Sequence, residues 1–306
     1  VLYHQGVFMN SMEDTMLMSY VLDAGKNRHN MDTLSEIHLN HKTIKYKELV
    51  GVGKKQINFA DVEISKAKDY AAEDADVTYR LYKIFKKNLQ SEKLTNIYEI
   101  FEKPLIKILS YMEINGVKIN SKFLKNLSEK FEKKIKELEK KIFKISKKEF
   151  NIGSPKQLGE VLFNKLSLEG GKKSKAGSWS TSADILENLS DSGYEVASKV
   201  LEWRQISKLK NTYSDKLPNV INKRTHRVHT TYEIANTNTG RLSSVEPNLQ
   251  NIPIRTEDGK KIRSAFIPRR GSLLFSADYS QIELRIMAHL SDDQEMIKSF
   301  TSGEDI

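Results

Sequence analysis

An aspartate late in the chain follows a short apolar run and could hold a metal ion. Residues 272–277 (SLLFSA) have the pattern of a buried β-strand, and Asp278 comes directly after them. A carboxylate at the end of a strand can bring Mg²⁺ to a triphosphate, because this hard ion takes few carboxylates and keeps phosphate and water as ligands. Taken alone, Asp278 is better explained as an ordinary turn aspartate, so the neighbouring sequence must decide.

The segments on either side of Asp278 are rich in polar side chains with defined uses. Ser280 and Glu283 have the spacing of a capping box, which predicts the start of the apolar helix that follows. Residues 239–253 (TGRLSSVEPNLQNIP) form a turn-rich stretch with Arg, Asn and Gln, whose side chains donate hydrogen bonds to base edges and phosphates. Each segment by itself is equally compatible with loop chemistry.

A tyrosine and an aspartate share one face of a helical pattern in the first third of the chain. Tyr70 and Asp74 lie four residues apart within residues 62–85, so their side chains point to the same side. A hydrolytic two-metal site needs several carboxylates and a group that orients the attacking water. A solvent-facing pair on an amphipathic helix is the favoured interpretation without further context.

Composition narrows the classes of function. The chain has 306 residues with 50 Lys and Arg against 40 Asp and Glu, a net charge of +10 that favours polyanionic partners, with nucleic acid first. The absence of cysteine excludes disulfides, thiol nucleophiles and iron–sulfur ligation within these residues. No apolar run approaches the roughly 18 residues of a membrane helix. The length predicts two or three domains.

Apolar spacing predicts helices through most of the chain. Residues 14–22, 31–39 and 62–85 have helical patterns, and the apolar residues from Leu124 to Ile145 recur at near-heptad intervals. That spacing predicts a long helix with one narrow apolar seam, capped by Asn120. Residues 118–148 contain 12 lysines and 4 glutamates, which form either a solvated face or a surface that follows a nucleic-acid backbone.

Breaks in the helical pattern divide the rest of the chain. Ser154 with Pro155 predicts a helix start, and residues 181–184 predict another. Residues 169–180 form a basic Gly/Ser/Lys loop, which is either a phosphate-contacting tip or a linker. From residue 224 the sequence pattern changes from helical to short runs typical of β-strands. In one of these runs, residues 227–232, polar and apolar side chains alternate.

Two histidines and two tryptophans are candidate site residues, but surface or packing roles are predicted for all four. His38 and His41 lie three residues apart without a third ligand placed by a motif, so surface or packing roles are predicted. Trp179 and Trp203 are predicted to pack rather than to stack on bases.

Taken together, these motifs resemble family A of the bacterial DNA polymerases. The resemblance rests on residues 239–253, 276–285 (SADYSQIELR) and 288–291 (AHLS); residues 70–76 (YAAEDAD) are similar to the third exonuclease motif of that family, and residues 208–218 to its thumb-to-palm segment. It implies an α+β multidomain chain. Residues 1–97 would be the C-terminal part of a ribonuclease H-like α/β exonuclease domain, 98–222 a mostly helical thumb, and 223–306 the beginning of an antiparallel β palm.

The resemblance assigns roles to single residues. Asp278 would bind both catalytic Mg²⁺ ions with the backbone carbonyl of Tyr279, and Glu283 would be the steric gate against a ribose 2′-hydroxyl. Asp74 would ligate metal while Tyr70 orients the water, and Asp14 would be structural. Arg241 would follow the primer terminus through the minor groove. DNA contact is implied for Asn248, Gln250, Asn251, Lys208, Lys210, Lys216, Lys172 and Lys173.

The resemblance also implies partners and limits. Primer-template DNA and deoxynucleoside triphosphates would be the partners of a monomeric enzyme in the bacterial cytoplasm, associated with the nucleoid. The family's first two exonuclease motifs are expected before Val1, and its fingers lysine and second palm aspartate after Ile306. We therefore expect this polypeptide by itself to turn over neither reaction. A 3′–5′ exonuclease and a non-catalytic duplex-binding module are the alternative functions.

Overall fold

The described part of the chain is mainly helical and carries one small antiparallel sheet. The computed structural model describes residues 2–9, 12–173, 177–254 and 256–303. It divides into two compact units, Val1–Phe266 and Ile267–Ile306. Residues 174–176 of the predicted basic loop and the terminal residues 304–306 lie outside the described residues. Within the described ranges, no helix combines the length and the apolar character needed to cross a bilayer.

Four helices form the first part of the larger unit. Asp14 is the N-cap of the first, where its carboxylate accepts hydrogen bonds from the backbone N–H of Met16 and Leu17, which confirms a structural role. The first, second and fourth of these helices share a core built around Leu34, Leu81 and Phe85. The helices are α1 (Thr15–Asp23), α2 (Met31–Leu39), α3 (Tyr46–Val50) and α4 (Ile64–Ser91), with 3₁₀ turns at Leu2–Gln5, Gly53–Lys55 and Phe59–Asp61.

No strand occurs among the described residues of the first part. The ribonuclease H-like α/β arrangement therefore stays a prediction for this region. The predicted helix spans at 14–22, 31–39 and 62–85 are confirmed, with α4 extending six residues further than the apolar pattern indicated.

A long helix dominates the middle of the chain. A π-helical turn (Ile97–Glu102) leads into α5 (Lys103–Asn115), and α6 (Ser121–Ser146) follows with the Asn120 side chain accepting from the N–H of Phe123. The seam of α6 is buried at Leu124, Leu127, Phe131, Ile135, Leu138 and Ile142, as the near-heptad spacing predicts. The seam packs against α9 (Glu195–Leu209), which also contacts α8 (Ala183–Asp191).

Short elements complete this helical region. Ser154 caps α7 (Pro155–Gly159) and Pro155 occupies its first turn, as predicted, before a π-helical turn at Glu160–Lys165. The predicted capping-box start near residues 181–184 is wrong in its detail, because α8 begins at Ala183 and the Ser182 side chain makes no capping hydrogen bond. A third π-helical turn (Lys210–Ser214) joins α9 to α10 (Lys216–Asn219).

The described ends of the basic loop pair with each other. Lys173 and Trp179 form an isolated antiparallel bridge, and the N–H of Ser180 donates to the carbonyl of Lys172 at 2.8 Å. The Trp179 ring lies against Phe163, with centroids 4.8 Å apart. Trp203 donates from Nε1 to Glu139 at 3.1 Å and packs beside two core clusters. Packing roles for both tryptophans are therefore confirmed.

A two-stranded hairpin follows. Strands β1 (Thr231–Glu233) and β2 (Ser243–Val245) pair antiparallel, with Tyr232 opposite Ser244. Of the alternating run 227–232, only the last two residues enter β1, and Val228 instead bridges Val117 and Ile221. Helix α11 (Glu257–Arg263), capped by Thr256, closes this unit.

The prediction of a buried strand at 272–277 is wrong. In the unit Ile267–Ile306 these residues form no regular secondary structure, and Leu273 and Phe275 are 93% and 92% exposed. A central strand requires hydrogen-bonding neighbours on both sides, and no described residue of this unit forms a strand. The unit's helices are α12 (Ile282–Ser291) and α13 (Gln294–Ser302).

The capping box predicted at Ser280 is also absent. Gln281 occupies the N-cap of α12 in a left-handed conformation, with φ of 51°, and its side chain makes no capping hydrogen bond. Because the helix starts one residue later than the pattern implies, Glu283 lies at the second helical position rather than the third.

Candidate functional site

Tyr70 and Asp74 lie together on α4, as their spacing predicts. The Oδ1 atom of Asp74 is buried and has no hydrogen-bond partner among the described residues. Burial raises the pKa of the Asp74 carboxyl, hydrogen bonding by the Tyr70 hydroxyl lowers it in part, and the nearby Glu73 and Asp32 carboxylates raise it further. Burial first, and then Asp74, raise the pKa of the Tyr70 phenol. The pair thus presents an oxygen that nothing in the described chain satisfies.

The residue beside Asp74 fastens a loop onto the same helix. Glu73 accepts from the N–H of Ile44 through Oε2 and contacts Nε2 of His41 through Oε1, both at 2.7 Å. Thr43, in the same loop, donates its hydroxyl proton to Asp32 of α2. His41 therefore has a defined local partner. The other histidine of the predicted pair, His38, packs edge-on against Phe85, which confirms its packing role.

An aromatic wall stands next to Tyr70. The rings of Tyr46 and Phe59 stack at 5.9 Å, and their centroids lie 6.3 and 6.2 Å from that of Tyr70. Tyr46 is 49% exposed and Phe59 37% exposed, so part of each ring faces solvent. The sequence analysis missed both residues, because Tyr46 begins α3 and Phe59 begins a separate 3₁₀ turn, and only tertiary structure brings the two to α4.

The chemistry of this site fits a divalent cation in part. A buried carboxylate oxygen without a partner is the kind of ligand that a hard cation takes. No cluster of three or more Asp, Glu or His side chains suited to a metal ion occurs within residues 2–9, 12–173, 177–254 and 256–303. Asp74 can therefore supply one metal ligand, and the rest of a two-metal set is not found among the described residues.

We expect Asp74→Asn to stabilise the chain at neutral pH. The folded pKa is raised above the unfolded value, so the folded chain holds the proton more tightly. The free energy of unfolding then falls as pH rises from the ordinary aspartate pKa through the raised one. Asparagine removes that cost, so the melting temperature at pH 7 should rise by about 2 °C.

The pH dependence provides the check on this prediction. The advantage of the asparagine variant should vanish in acid below the ordinary aspartate pKa, where Asp74 is protonated in both states. Asp76→Asn is the matched control, since Asp76 is exposed on the same helix. An unchanged or lower melting temperature for Asp74→Asn at pH 7 would contradict the assigned burial cost.

The hairpin loop 234–242 carries Arg241 near its end. The Thr237 hydroxyl donates to the carbonyl of Arg241 at 2.7 Å and so fixes the backbone at that residue. Past β2, the Asn248 side chain accepts from the N–H of Gln250 and Asn251, at 3.0 and 3.2 Å, and forms the turn between them. A hydrogen bond from the Tyr213 hydroxyl to the Asn251 carbonyl also stabilises this turn.

The predicted DNA-contacting lysines separate into two groups. Lys210 is tied to Asp215 at 2.8 Å and to Glu132 at 3.3 Å, and its side chain is 17% exposed. The hydrogen bond to Asp215 raises the pKa of Lys210 against the opposing effect of burial, and the Glu132 contact adds to the rise. The exposed lysines of the set are Lys172, Lys173, Lys208 and Lys216.

The smaller unit holds the predicted palm residues. Asp278 and Tyr279 lie in the irregular segment before α12 and are exposed, and Glu283 is exposed in the first turn of that helix. Arg285 donates from Nε to the Ser280 carbonyl at 3.0 Å, and its guanidinium lies over the Phe300 ring. These contacts connect the turn before α12 to α13 within the unit.

Two family models match separate parts of the chain. Residues 121–306 match DNA polymerase family A, and residues 1–90 match a 3′-5′ exonuclease. The first match covers more than half of the chain. The chain belongs to DNA polymerase family A. Arg241, Asp278 and Glu283 lie inside the family A segment, whereas Tyr70 and Asp74 lie inside the exonuclease segment.

Similar proteins agree with this membership in family A. The chain is 50% identical to the DNA polymerase I of Rhizobium leguminosarum over 306 residues, which is all of this chain and 30% of that protein. It is 40% identical to the DNA polymerase I of Bacillus subtilis (strain 168) over 304 residues, 99% of this chain and 34% of that protein. The chain thus spans about a third of the length of these relatives.

A solved structure has a similar fold. It is described as the POL domain of Pol1 from M. smegmatis in complex with DNA primer-template and dNTP. The TM-score is 0.83 at 33% sequence identity, and the alignment covers 99% of this chain and 50% of that chain. The fold of this family A chain is therefore similar to that of a polymerase domain.

Proposed function

We propose that the chain contributes to template-directed nucleotidyl transfer on primer-template DNA. The observation that carries the proposal is the family A match over residues 121–306, which contain Asp278, Tyr279 and Glu283 in the order that the resemblance requires. The similar M. smegmatis structure, described with primer-template DNA and dNTP, supports the same partners here. Residues 1–97 would be the exonuclease-like part, 98–222 the thumb and 223–306 the beginning of the palm.

The palm residues would act through oxygen ligands and shape. The Asp278 carboxylate and the Tyr279 backbone carbonyl are the oxygen donors that Mg²⁺ prefers, and both residues are exposed to incoming substrate. When bound, two Mg²⁺ ions would stabilise the charge that develops on the attacking and leaving oxygens. Glu283 would exclude a ribose 2′-hydroxyl by occupying its place. Arg241 would contact minor-groove acceptors, which correct base pairs present at similar positions.

The exposed lysines would hold the duplex through its phosphates. We expect the double substitution Lys208→Ala and Lys216→Ala to weaken the salt dependence of DNA binding. The slope of the logarithm of the association constant against the logarithm of the salt concentration should become shallower by about two, because each phosphate contact releases about one counterion. The measurement is fluorescence anisotropy of a labelled primer-template between low and physiological salt.

Lys210 serves as the internal comparison. Its ammonium already interacts with Asp215 and Glu132, so Lys210→Ala should lower the melting temperature while leaving the salt slope unchanged. A slope that falls as much for Lys210→Ala as for each exposed lysine would contradict this division, and would return Lys210 to the set that contacts phosphate.

The test of the proposed function is primer extension. The protein produced from the gene that encodes this chain should extend a recessed 3′ end with dNTPs, in the order given by the template and only with a divalent cation. Binding of primer-template without any extension by that protein would contradict nucleotidyl transfer. It would favour the alternative of a non-catalytic duplex-binding module.

A second function, 3′–5′ excision, is favoured by one specific observation. Within the part of the chain that the structure describes, the buried Asp74 Oδ1 atom has no hydrogen-bond partner, and Asp74 lies beside the Tyr70 hydroxyl in the segment that matches a 3′-5′ exonuclease. A desolvated oxygen of this kind is stabilised when a cation binds it. Tyr70 would orient the attacking water, and the exposed faces of Tyr46 and Phe59 would stack against the bases of an unpaired 3′ end.

A further inference from the structure

The hairpin loop 234–242 rests on the helices of the exonuclease-like part. Ile234 and Ala235 pack against the core that contains Leu17 and Met18 of α1. The two contact surfaces are more than 200 residues apart in the sequence. The loop is therefore supported by a part of the chain that matches a different family model from the loop itself.

A chain of two hydrogen bonds leads from α1 to Arg241. The Tyr20 hydroxyl donates to the Thr237 carbonyl at 2.7 Å, and the Thr237 hydroxyl donates to the Arg241 carbonyl at 2.7 Å. Tyr20 is only 4% exposed, so its ring is fixed by packing and its hydroxyl has a definite position. The Arg241 backbone is thereby connected to the interior of the first part through a single intermediate residue.

A close approach on the other side of the loop reinforces this support. Gly25 has φ of +81°, and a Cβ added to it would lie 3.0 Å from Cγ of Asn238. Glycine favours this conformation, and any larger residue at position 25 would have to displace the Asn238 side chain. Tyr20 and Gly25 therefore contact adjacent loop residues, Tyr20 the backbone of Thr237 and Gly25 the side chain of Asn238.

We propose that Tyr20 is a positioning residue for Arg241, so that the exonuclease-like part sets the accuracy with which the palm loop contacts the primer terminus. The inference rests on the proposed role of Arg241 and adds a source for its geometry. A side chain on a loop contacts a base edge well only when surrounding residues hold it in place. Because the arginine side chain is long, a small rotation of its backbone moves the guanidinium group by a larger distance.

The test compares two DNA molecules and two tyrosines. Affinity of the 306-residue chain is measured for a duplex with a recessed 3′ end and for a continuous duplex of equal length, with Tyr20→Phe, Arg241→Ala and the double variant. Tyr98→Phe is the matched control, because Tyr98 is equally buried and its hydroxyl contacts Glu13 and Asp14 rather than the loop.

We expect Tyr20→Phe to reduce the preference for the recessed end by about 3- to 10-fold, the range of one lost hydrogen bond. Tyr98→Phe should lower the melting temperature and leave the preference unchanged. In the Arg241→Ala background, Tyr20→Phe should have no further effect, because the residue through which it acts is gone.

Other outcomes overturn the inference in distinguishable ways. If Arg241→Ala leaves the preference intact, the proposed role of Arg241 fails and the inference fails with it. If Arg241→Ala abolishes the preference and Tyr20→Phe does not change it, the inference alone fails. An equal loss of affinity for both duplexes, or an effect that persists without Arg241, would show that Tyr20 only stabilises the fold.

A second pair of variants keeps the tyrosine hydroxyl in place. Gly25→Ala should reduce the same preference by displacing Asn238. Gly193→Ala has a comparable φ of +88° but nothing within 4 Å of the added methyl group, so it reports backbone strain alone. Equal effects of these two alanines on the preference would contradict positioning by the contact with Asn238.

Discussion

Asp278→Ala is expected to lower the single-turnover rate of primer extension by about 10³-fold or more, while the affinity for primer-template stays within about twofold. Loss of a metal ligand removes several kcal/mol of charge stabilisation from the reaction, and each 1.36 kcal/mol corresponds to tenfold in rate. DNA affinity should be preserved, because Asp278 is exposed and its carboxylate is negatively charged, as are the phosphates that it would approach. The measurement is single-turnover extension at saturating DNA, with anisotropy for binding.

Glu295→Ala is the control for this substitution. Glu295 is an exposed carboxylate in the first turn of α13, in the same compact unit as Asp278. It removes the same charge without removing a proposed ligand, so its extension rate should remain close to that of the unaltered protein. Comparable losses for the two variants would sink the assignment of Asp278 and leave only a general effect of charge.

The second large effect is expected on 3′ excision, from substitutions at Asp74 and Tyr70 in α4. Asp74→Ala should lower the rate of 3′ excision from single-stranded DNA by about 10³-fold, and Tyr70→Phe by about 10-fold to 100-fold, since a metal ligand contributes more than a group that orients water. Extension rates should be unchanged in both variants. The assay is single-turnover excision by the protein produced from the gene that encodes this chain.

Asp76→Ala separates this effect from general changes in α4. Asp76 lies two residues along the helix, is exposed, and pairs only with Arg80 at 3.6 Å among the ion pairs of the described chain. Excision should survive its loss. If Asp74→Ala and Asp76→Ala excise at equal rates, or if the protein shows no excision at all, the second proposed function falls while the first is untouched.

Local signals predicted much of the helical fold. The seam of α6 could be found in the sequence because burial repeats with the helix period at Leu124, Leu127 and Phe131, and this period does not depend on which helix packs against it. Asn120 and Ser154 were found as caps because a capping side chain bonds to the backbone two or three residues ahead, whereas the capping role of Asp14 became clear only from the structure.

Signals that depend on distant partners were missed or misjudged. The apolar run 272–277 has strand composition, but a strand exists only where neighbours satisfy its backbone, and the sequence of the run does not specify them. Similarly, the Tyr70–Asp74 spacing was visible in the sequence. The ring contacts of Tyr46 and Phe59 with Tyr70, and the hydrogen bond from the Ile44 N–H to Glu73, are tertiary contacts that the sequence did not indicate. The internal ion pairs of Lys210 were hidden for the same reason.

The lysine-rich long helix has a consequence for how binding and folding are linked. Residues 118–148 carry 12 lysines against 4 glutamates, so without a partner the helix α6 and its flanks fold against their own repulsion. A polyanion laid along this surface neutralises that repulsion and stabilises the folded state by mass action. If the proposed DNA partner lies along α6, its binding would therefore raise the free energy of unfolding of this part of the chain, and the gain would grow with the number of phosphates that the lysines contact.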